Sequence, residues 1–146
     1  MQCPVGGGYA ILACYELEVS NADPGARFSC TGALREPGAG EVAGLSLSRT
    51  GAELHATWGS SCVSTDDEFA LYEGELGTFT THEPVTCDTA GATELTFTPS
   101  TGSSYYLAVP VGTTVEGSHG RDSLAGGQRP RGPSARAPQQ ITVCDL

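Results

Sequence analysis

Six cysteines are the residues of this chain whose type and spacing point most directly to a chemistry. They are Cys3, Cys14, Cys30, Cys62, Cys87 and Cys144. Their number is even, and no two of them stand in the C-x-x-C spacing that zinc ribbons and thioredoxin-like sites require. Disulfide bonds are therefore the better interpretation, and they imply an oxidising setting, either secreted or at the cell surface.

One pair of cysteines is suggested by position along the chain. Cys62 and Cys87 fall just after the second predicted strand and just before the fifth, where a bridge would tie two loops together. Closing a loop of that size would stabilise the fold by about 3 kcal/mol, because it restricts the unfolded chain. The other four cysteines allow three connectivities, and we favour Cys14–Cys30 together with Cys3–Cys144.

Closely spaced carboxylates could hold calcium, which prefers several oxygen ligands. Asp66, Asp67 and Glu68 form the densest acidic cluster, and a bridge between Cys62 and Cys87 would bring Asp88 near it. The D-x-D-x-D-G ladder of a calcium loop is absent. A solvated loop is therefore the favoured interpretation, and these four residues are weak calcium candidates.

The three histidines, His55, His82 and His119, are not spaced as metal ligands or as catalytic bases. The segment 82–84 lacks the second histidine of H-E-x-x-H, and its proline would break the helix that this motif needs. The segment 117–120 places a serine beside a histidine without the G-x-S-x-G pattern, which favours a turn. We expect His55 on the outer face of a strand, and we expect no catalytic residue, metal site or cofactor.

Aromatic side chains could stack on sugars, because their flat faces bind carbohydrate rings at low cost in entropy. The candidates are Trp58, Tyr72, Tyr105 and Tyr106. We expect the core to hold Trp58 and Tyr105. Tyr72 and Tyr106 therefore remain as candidates for a surface that recognises carbohydrate.

The charge of the chain argues against several partners. The formal net charge is −10, and all seven cations are arginines, so a P-loop lysine and a lysine Schiff base are excluded. An acidic surface repels nucleic acid and anionic lipid. No apolar run approaches the roughly 20 residues of a membrane span. The first residues lack the positive charge of a signal peptide. One alternative is a lipoprotein-type cleavage before Cys14. The favoured interpretation is that the chain is a piece of a larger secreted protein.

Short runs with period-two alternation predict the elements that position these residues. The alternating apolar sets are Leu45 and Leu47; Leu54, Ala56 and Trp58; Phe69 and Leu71; Leu95 and Phe97; and Tyr105, Leu107 and Val109. Turn-rich segments separate them at roughly the 8–12-residue spacing of β-sandwiches. The pattern predicts an all-β fold, an antiparallel sandwich of seven strands.

Three zones follow along the chain. Residues 1–41 form a cysteine-containing N-terminal segment and linker, which we expect to be anchored by disulfides. Residues 42–125 form the predicted sandwich. Residues 126–146 form a tail rich in Gly, Pro and Arg, in which residues 140–144 are predicted to dock as a short terminal strand. Most of residues 117–138 is expected to be irregular or mobile.

The middle zone resembles fibronectin type III domains. Residues 53–58 offer Trp58 in phase with Leu54 and Ala56, as in the core tryptophan of the second strand of that family. Residues 95–99 followed by 105–109 are similar to its apolar-x-Pro turn and sixth strand. The resemblance implies a tyrosine corner and an immunoglobulin-like sandwich. We assign the corner to Tyr105, which shares a face with Leu107 and Val109, so that Tyr106 points outward.

A narrower resemblance is to a cysteine-bearing fibronectin-like domain of large secreted proteins from myxobacteria and related Gram-negative bacteria. It covers about residues 42–132 and is carried by residues 58–62, 72–77, 86–87, 105–110 and 116–118. Such domains have a cysteine where this chain has Arg136. The resemblance therefore implies that Cys144 pairs elsewhere, with the N-terminal zone as the candidate.

The resemblance implies a non-catalytic extracellular module of structural or adhesive function. Such a module would be a spacer or assembly unit of a larger surface or secreted protein or filament, with neighbouring domains or copies of itself as partners. The alternative is an accessory module that binds carbohydrate, such as surface glycans, or calcium. We expect no nucleic-acid partner and no membrane span.

Overall fold

A computed structural model describes residues 3, 38–100, 102–121 and 126–144 of the chain. These residues form six strands, β1 Ser46–Thr50, β2 Glu53–Thr57, β3 Glu68–Glu75, β4 Glu83–Thr86, β5 Glu94–Phe97 and β6 Ser104–Val111. No helix occurs among them, and hence none that is long and apolar enough to cross a membrane. The prediction of an all-β fold is confirmed.

The strands form two antiparallel three-stranded sheets, one in the order β1-β2-β5 and the other in the order β4-β3-β6. A tight hairpin joins β1 to β2, with Thr50 opposite Glu53 and only two residues between them. Gly51, the first of these two, has a φ of 63°. Glycine adopts this left-handed conformation without a steric penalty, and this tight turn therefore fixes the register of the first sheet.

The two sheets share a hydrophobic core. Ala56 and Trp58 pack in it against Phe69 and Leu71, and Phe97 lies beside them. The rings of Trp58 and Phe69 meet edge to face, with centroids 6.1 Å apart. The prediction that Trp58 belongs to the core is confirmed.

The orientation of β6 differs from the prediction. Leu107 and Val109 do not join Trp58, because they pack with Tyr72 on the face of the second sheet that points away from the first. Ala108 faces the inter-sheet core instead, and the ring of Tyr106 lies 5.1 Å from that of Phe97. The physical reason is that β6 is apolar on both faces, so period-two alternation could not indicate which face is inside.

The outer face of the second sheet is covered by chain that has no regular structure. Glu116 and His119 are fully buried against it, and Ser118 nearly so. Residues 129–139 lie over this region, and we call them the C-terminal cover. Backbone hydrogen bonds hold the two segments together, from the Glu116 N–H to Pro138 and from the Gln140 N–H to Glu116. The predicted turn at residues 117–120 is therefore a buried, irregular segment.

The expected seventh strand is not formed by the described part of the chain. After β6, Val111 pairs with Glu116 in a single bridge, and the Gly117 N–H donates to Pro110. The next residue already bonds to Gly40, since the Ser118 N–H donates to the Gly40 carbonyl. Gly117 packs directly on the backbone of Gly40, where a Cβ would clash. The chain thus crosses from β6 to residues 38–41 instead of extending along β6.

Residues 140–144, predicted as a terminal strand, contact the same N-terminal stretch. Ile141 pairs with Ala39 in one parallel bridge, and the Thr142 N–H donates to the Ala39 carbonyl. Val42 in turn pairs with Ser61. Residues 39–42 therefore lie between the end of the chain and the segment that follows β2.

Shortening a side chain of the inter-sheet core should destabilise the whole fold. Leu71 is completely buried, and Leu71→Ala is expected to lower the free energy of unfolding by about 2–5 kcal/mol, because it leaves a cavity between the sheets. Leu47→Ala is the matched control, since Leu47 is 44% exposed and should cost under about 0.5 kcal/mol. Urea unfolding of the oxidised protein measures both. Similar losses in the two variants would contradict this core.

Candidate functional site

Asp66, the first of the calcium candidates, is occupied by bonds that shape a loop. Its Oδ2 accepts the Gly40 N–H at 2.7 Å and the Ser61 hydroxyl at 2.6 Å. The carboxylate is nearly buried, whereas Asp67 beside it is exposed. Asp66 therefore joins residue 40 to the loop after β2 and does not share a site with Asp67.

Glu68 and Asp88 have similar structural roles. Oε1 of Glu68 accepts the Thr89 N–H at 2.8 Å, and Oδ1 of Asp88 accepts the Ala90 N–H at 2.7 Å. The Ala90 N–H is the main reason why the pKa of Asp88 is below its usual range. Among the described residues, no three His, Cys, Asp or Glu side chains are arranged to hold a metal ion.

Two disulfides are formed among the described cysteines. Cys3 pairs with Cys87, with Cα atoms 5.5 Å apart, and Cys62 pairs with Cys144, with Cα atoms 6.1 Å apart. The predicted pairs Cys62–Cys87 and Cys3–Cys144 are therefore wrong. The cause is the position of residues 39–42, which contact both residue 61 and residue 141 and so bring Cys62 to Cys144. The predicted pair of Cys14 with Cys30 lies outside the described residues.

The histidines lie in two different environments. His55 is on the outer side of the first sheet, where its side chain is 41% exposed and Nδ1 is 3.0 Å from the Thr96 hydroxyl. Its position on an outer face is as predicted. His82 and His119 are instead fully buried, next to one another, on the covered face of the second sheet. Sequence spacing did not reveal this pair, because the two residues come from different segments.

A continuous chain of hydrogen bonds runs through these two histidines. The Tyr72 hydroxyl donates to Oε1 of Glu116 at 2.5 Å, and Oε2 of Glu116 is 3.0 Å from Nε2 of His119. Nδ1 of His119 is 2.9 Å from Nε2 of His82, and Nδ1 of His82 is 3.2 Å from the Tyr105 hydroxyl. We call these five residues the buried histidine cluster.

Four parts of the fold supply the buried histidine cluster. β3 contributes Tyr72 at its centre, β6 contributes Tyr105 near its start, and His82 directly precedes β4. Glu116 and His119 come from the irregular segment after β6. The cluster therefore depends on the covered face of the second sheet. The sequence pattern had placed Tyr105 in the core and had left Tyr72 as a candidate for the surface.

Backbone N–H groups of the C-terminal cover donate hydrogen bonds to this cluster. The Gly132 N–H donates to Nε2 of His82 at 2.8 Å, and the Arg136 N–H donates to Oε1 of Glu116 at 3.0 Å. Gly132 lies so close to the backbone and ring of His82 that a Cβ would clash. The cover is thus fixed by backbone donors that meet buried acceptors.

The bonding partners assign the protons of the two rings. A backbone N–H can only donate, so Nε2 of His82 carries a lone pair and its proton is on Nδ1, facing Tyr105. Nδ1 of His119 must then donate to His82. Oε1 of Glu116 accepts two donors, and Oε2 lies 3.0 Å from Nε2 of His119, so one proton is held between these two atoms. His119 and Glu116 are therefore a buried, hydrogen-bonded pair.

Burial and nearby charge shift the titration of the cluster. Burial lowers the pKa of His82 to about 4, and the positive charges of His119 and Arg129 add to this effect. Burial also raises the pKa of Tyr72, and the neighbouring Glu116 carboxylate raises it further. Both groups are therefore neutral at pH 7.

This arrangement holds protons in place and does not present a nucleophile to solvent. Ser118, which precedes His119, donates its hydroxyl proton to Gln128 at 2.6 Å. Both ring nitrogens of His119 are engaged by His82 and Glu116. Ser118 and His119 are thus not aligned as nucleophile and base, as expected for neighbours in sequence.

A groove of about 300 Å³ opens beside the cluster, on the side of β6. Val42 and Leu45 supply part of its apolar wall, and Tyr106 lies at its border. Its polar wall holds Glu41, which is 3.3 Å from the Arg121 guanidinium. Burial alone would raise the pKa of Glu41, but hydrogen bonds from Gln128 and Arg121 outweigh it and lower that pKa.

The tyrosines predicted for surface recognition have separate locations. Tyr72 is completely buried, which excludes it as a surface residue. Tyr106 is half-buried, and its hydroxyl donates to Glu73 at 3.0 Å. Tyr105 does not form the predicted tyrosine corner, because its hydroxyl faces His82. The cause is the orientation of β6, which turns Tyr105 away from the inter-sheet core.

No protein-family model matches the chain, and no curated protein or solved structure is significantly similar to it. The described residues are therefore the basis for an inference of function. Their most specific features are the buried histidine cluster, the groove beside it and the two disulfides.

Removing the Tyr72 hydroxyl should weaken the fold, because it deletes a buried donor to a buried carboxylate. Tyr72→Phe is expected to cost about 1–3 kcal/mol of unfolding free energy. Tyr106→Phe is the control, since Glu73 keeps its bonds to Ser100 and Ser104 and the loss should stay below about 1 kcal/mol. Urea unfolding at pH 7 compares the two. A neutral Tyr72→Phe variant would contradict the hydrogen-bond chain.

The disulfide connectivity can be read directly by mass spectrometry. Proteolysis without reduction, at a pH low enough to prevent exchange, should release one linked peptide pair containing Cys3 and Cys87 and a second containing Cys62 and Cys144. The reduced digest is the control. A peptide pair that links Cys62 to Cys87 would show that the arrangement of residues 39–42 is incorrect.

Proposed function

We propose that this chain is a non-catalytic extracellular structural module, a spacer within a larger surface or secreted protein, built as a fibronectin type III-like sandwich. The observation that carries this proposal is the overlap of its two disulfides. Cys62 lies inside the loop closed by Cys3 and Cys87, and Cys87 lies inside the loop closed by Cys62 and Cys144.

Overlapping bridges shorten the covalent path through the module. Without them, tension between residues 3 and 144 can extend the whole intervening chain, to roughly 490 Å. With both bridges, the path crosses from Cys3 to Cys87, runs back along the chain to Cys62 and crosses to Cys144. Only the stretch 62–87 remains extensible, which limits the length to roughly 85 Å. Such a module keeps its length under force, even when its sheets open.

The division of strands supports the sandwich part of the proposal. In immunoglobulin-like sandwiches the first, second and fifth strands lie in one sheet, and the third and sixth lie in the other. The present sheets have this division, with β4 paired to β3. The core tryptophan on the residue after β2 is a further similarity. The fold alone does not determine function. The short covalent path set by the two disulfides is therefore the main support for the spacer role.

The chemistry of the described residues fits the same proposal. Disulfides suggest an oxidising, extracellular setting, where a structural module must stay folded without cellular repair. Four of the five side chains of the cluster are fully buried, and each of the five is hydrogen-bonded to another protein group. We expect the partners to be neighbouring domains or copies of the chain.

A second candidate function is carbohydrate binding. The observation in its favour is that Tyr106 borders the groove of about 300 Å³, which also presents Glu41 and Arg121. A glycan array separates the two candidates. Specific retention that Tyr106→Ala abolishes, and that Phe79→Ala leaves intact, would favour sugar recognition, since Phe79 is another exposed aromatic residue. Silence across the array is the result expected for a spacer.

Single-molecule force spectroscopy tests the spacer proposal. The oxidised chain, placed between two marker domains of known length, should lengthen by no more than roughly 85 Å between residues 3 and 144 before the markers unfold. With Cys62→Ser and Cys144→Ser together, the path becomes 87–144 and the limit rises to roughly 200 Å. Full reduction should release roughly 490 Å.

The order of these three lengths is the critical result. An oxidised chain that extends as far as the reduced chain would overturn the proposed spacer. The double serine variant is the internal control, because it removes one bridge and keeps Cys3–Cys87. Its intermediate length shows that each bridge shortens the path separately.

A further inference from the structure

We propose that the buried histidine cluster is an acid-sensitive latch, in which protonation of His82 releases the C-terminal cover from the second sheet. The two disulfides and the inter-sheet core stay intact in the released state. This inference is independent of the spacer proposal, because it concerns a local opening and not the length of the module.

His82 can gain a proton at only one of its two ring nitrogens. Nδ1 already carries one and faces the Tyr105 hydroxyl at 3.2 Å. Nε2 is therefore the only basic site, and it accepts the Gly132 N–H at 2.8 Å and the Nδ1 proton of His119 at 2.9 Å. A proton placed there would face two donors. His82 can be protonated only if Gly132 moves away.

The groups around His82 oppose a positive charge at this position. β3 and β6 present the neutral hydroxyls of Tyr72 and Tyr105. The segment after β6 presents His119, whose electrostatic effect disfavours a charge on His82, together with Glu116, which is already bonded to His119.

The C-terminal cover adds a cation. The Arg129 guanidinium lies 5.3 Å from the centroid of the Tyr105 ring and 5.3 Å from that of Phe79. The other arginines of the cover point elsewhere: Arg136 bonds to the Cys87 carbonyl and lies 3.9 Å from Asp88, and Arg131 bonds to Ala137. A protonated His82 would therefore face the Arg129 guanidinium and the ring of His119, while the Glu116 carboxyl is already paired.

The direction of the pH effect follows from the pKa of His82. Burial, assisted by the charges of His119 and Arg129, lowers it from 6.5 to about 4 in the closed form. The open form therefore binds more protons between these pH values, so the closed form loses stability as pH falls from 6.5 to 4 and is unaffected above 6.5. Across the full range, the ratio of closed to open molecules should fall about 300-fold.

The cover is the part of the fold that can respond. Gly132 is the only one of its eleven residues that is buried, so the cover itself has few buried contacts to lose. Its ends are held by the pairing of Arg121 with Gln128 and of Ile141 with Ala39. The bridge from Cys144 to Cys62 lies beyond it. Opening is therefore confined to residues 129–139.

Hydrogen exchange of the oxidised protein tests the latch. After correction for the intrinsic exchange rate, protection of the Gly132 and Arg136 amides should fall about 30-fold between pH 7.5 and pH 5. The Leu71 amide in β3 is the control: it should stay much better protected than the cover amides at both pH values, because its exchange requires the sheets to open. Equal protection of the cover amides at both pH values would overturn the proposal. Protection of Leu71 as low as that of the cover amides at pH 5 would also overturn it, because the opening would then be global.

Two variants assign the effect to His82. His82→Gln cannot gain a proton, so the cover amides should exchange with the same protection at pH 7.5 and pH 5, whereas His55→Gln should behave as wild type. Arg129→Gln removes a cation that opposes protonation and keeps the imidazole ring of His82. The fall in protection of the cover amides should then be smaller than 30-fold. A full fall in His82→Gln would exclude His82 as the group that titrates. If the cover of the His82→Gln variant does not close at pH 7.5, the Arg129→Gln variant is the test. A fall in protection that is the same as in the wild type would then contradict the latch.

Discussion

The burial of the second sheet on both of its faces is the constraint on which most of this structure depends. β3 and β6 have apolar residues on both of their faces, so each strand needs a packing partner on both sides of the sheet. The first sheet covers one face. The chain after β6 must cover the other, and that chain is rich in glycine, proline and polar residues. It cannot form a second apolar layer.

The buried histidine cluster reconciles a polar cover with an apolar face. Tyr72 and Tyr105 are amphipathic, so their rings pack with the sheet while their hydroxyls point toward the cover. A buried carboxylate is costly unless it is paired and fully bonded, and Glu116 has a donor for both oxygens. The polar groups therefore specify where the cover lies, and the apolar groups of the sheet supply most of the stability. The same division explains how the cover could detach without unfolding the sheets.

Five of the six strands and the part of the inter-sheet core on β2, β3 and β5 could be predicted from the sequence, because their signals are local. Leu54, Ala56 and Trp58 alternate with polar residues, and that alternation fixes the buried face of β2. β6 has no such contrast, and its apolar residues gave no basis for choosing a face. The pairing of the cysteines could not be predicted either. It depends on residues 39–42, whose β-bridges join segments that are far apart in the sequence. His82 and His119 met for the same reason, and no spacing rule connects residues from separate segments.

The overlap of the two bridges also has a consequence for how the protein is made. Cys3 is synthesised first, and its native partner Cys87 follows 84 residues later. Cys62 appears before Cys87 does, yet its own partner is Cys144, 82 residues further along the chain. In a chain that is oxidised while it emerges, Cys3 and Cys62 could therefore bond to each other before either native partner exists, and any such bond would have to be exchanged through mixed disulfides. The native pairing can be completed only once Cys144 is present.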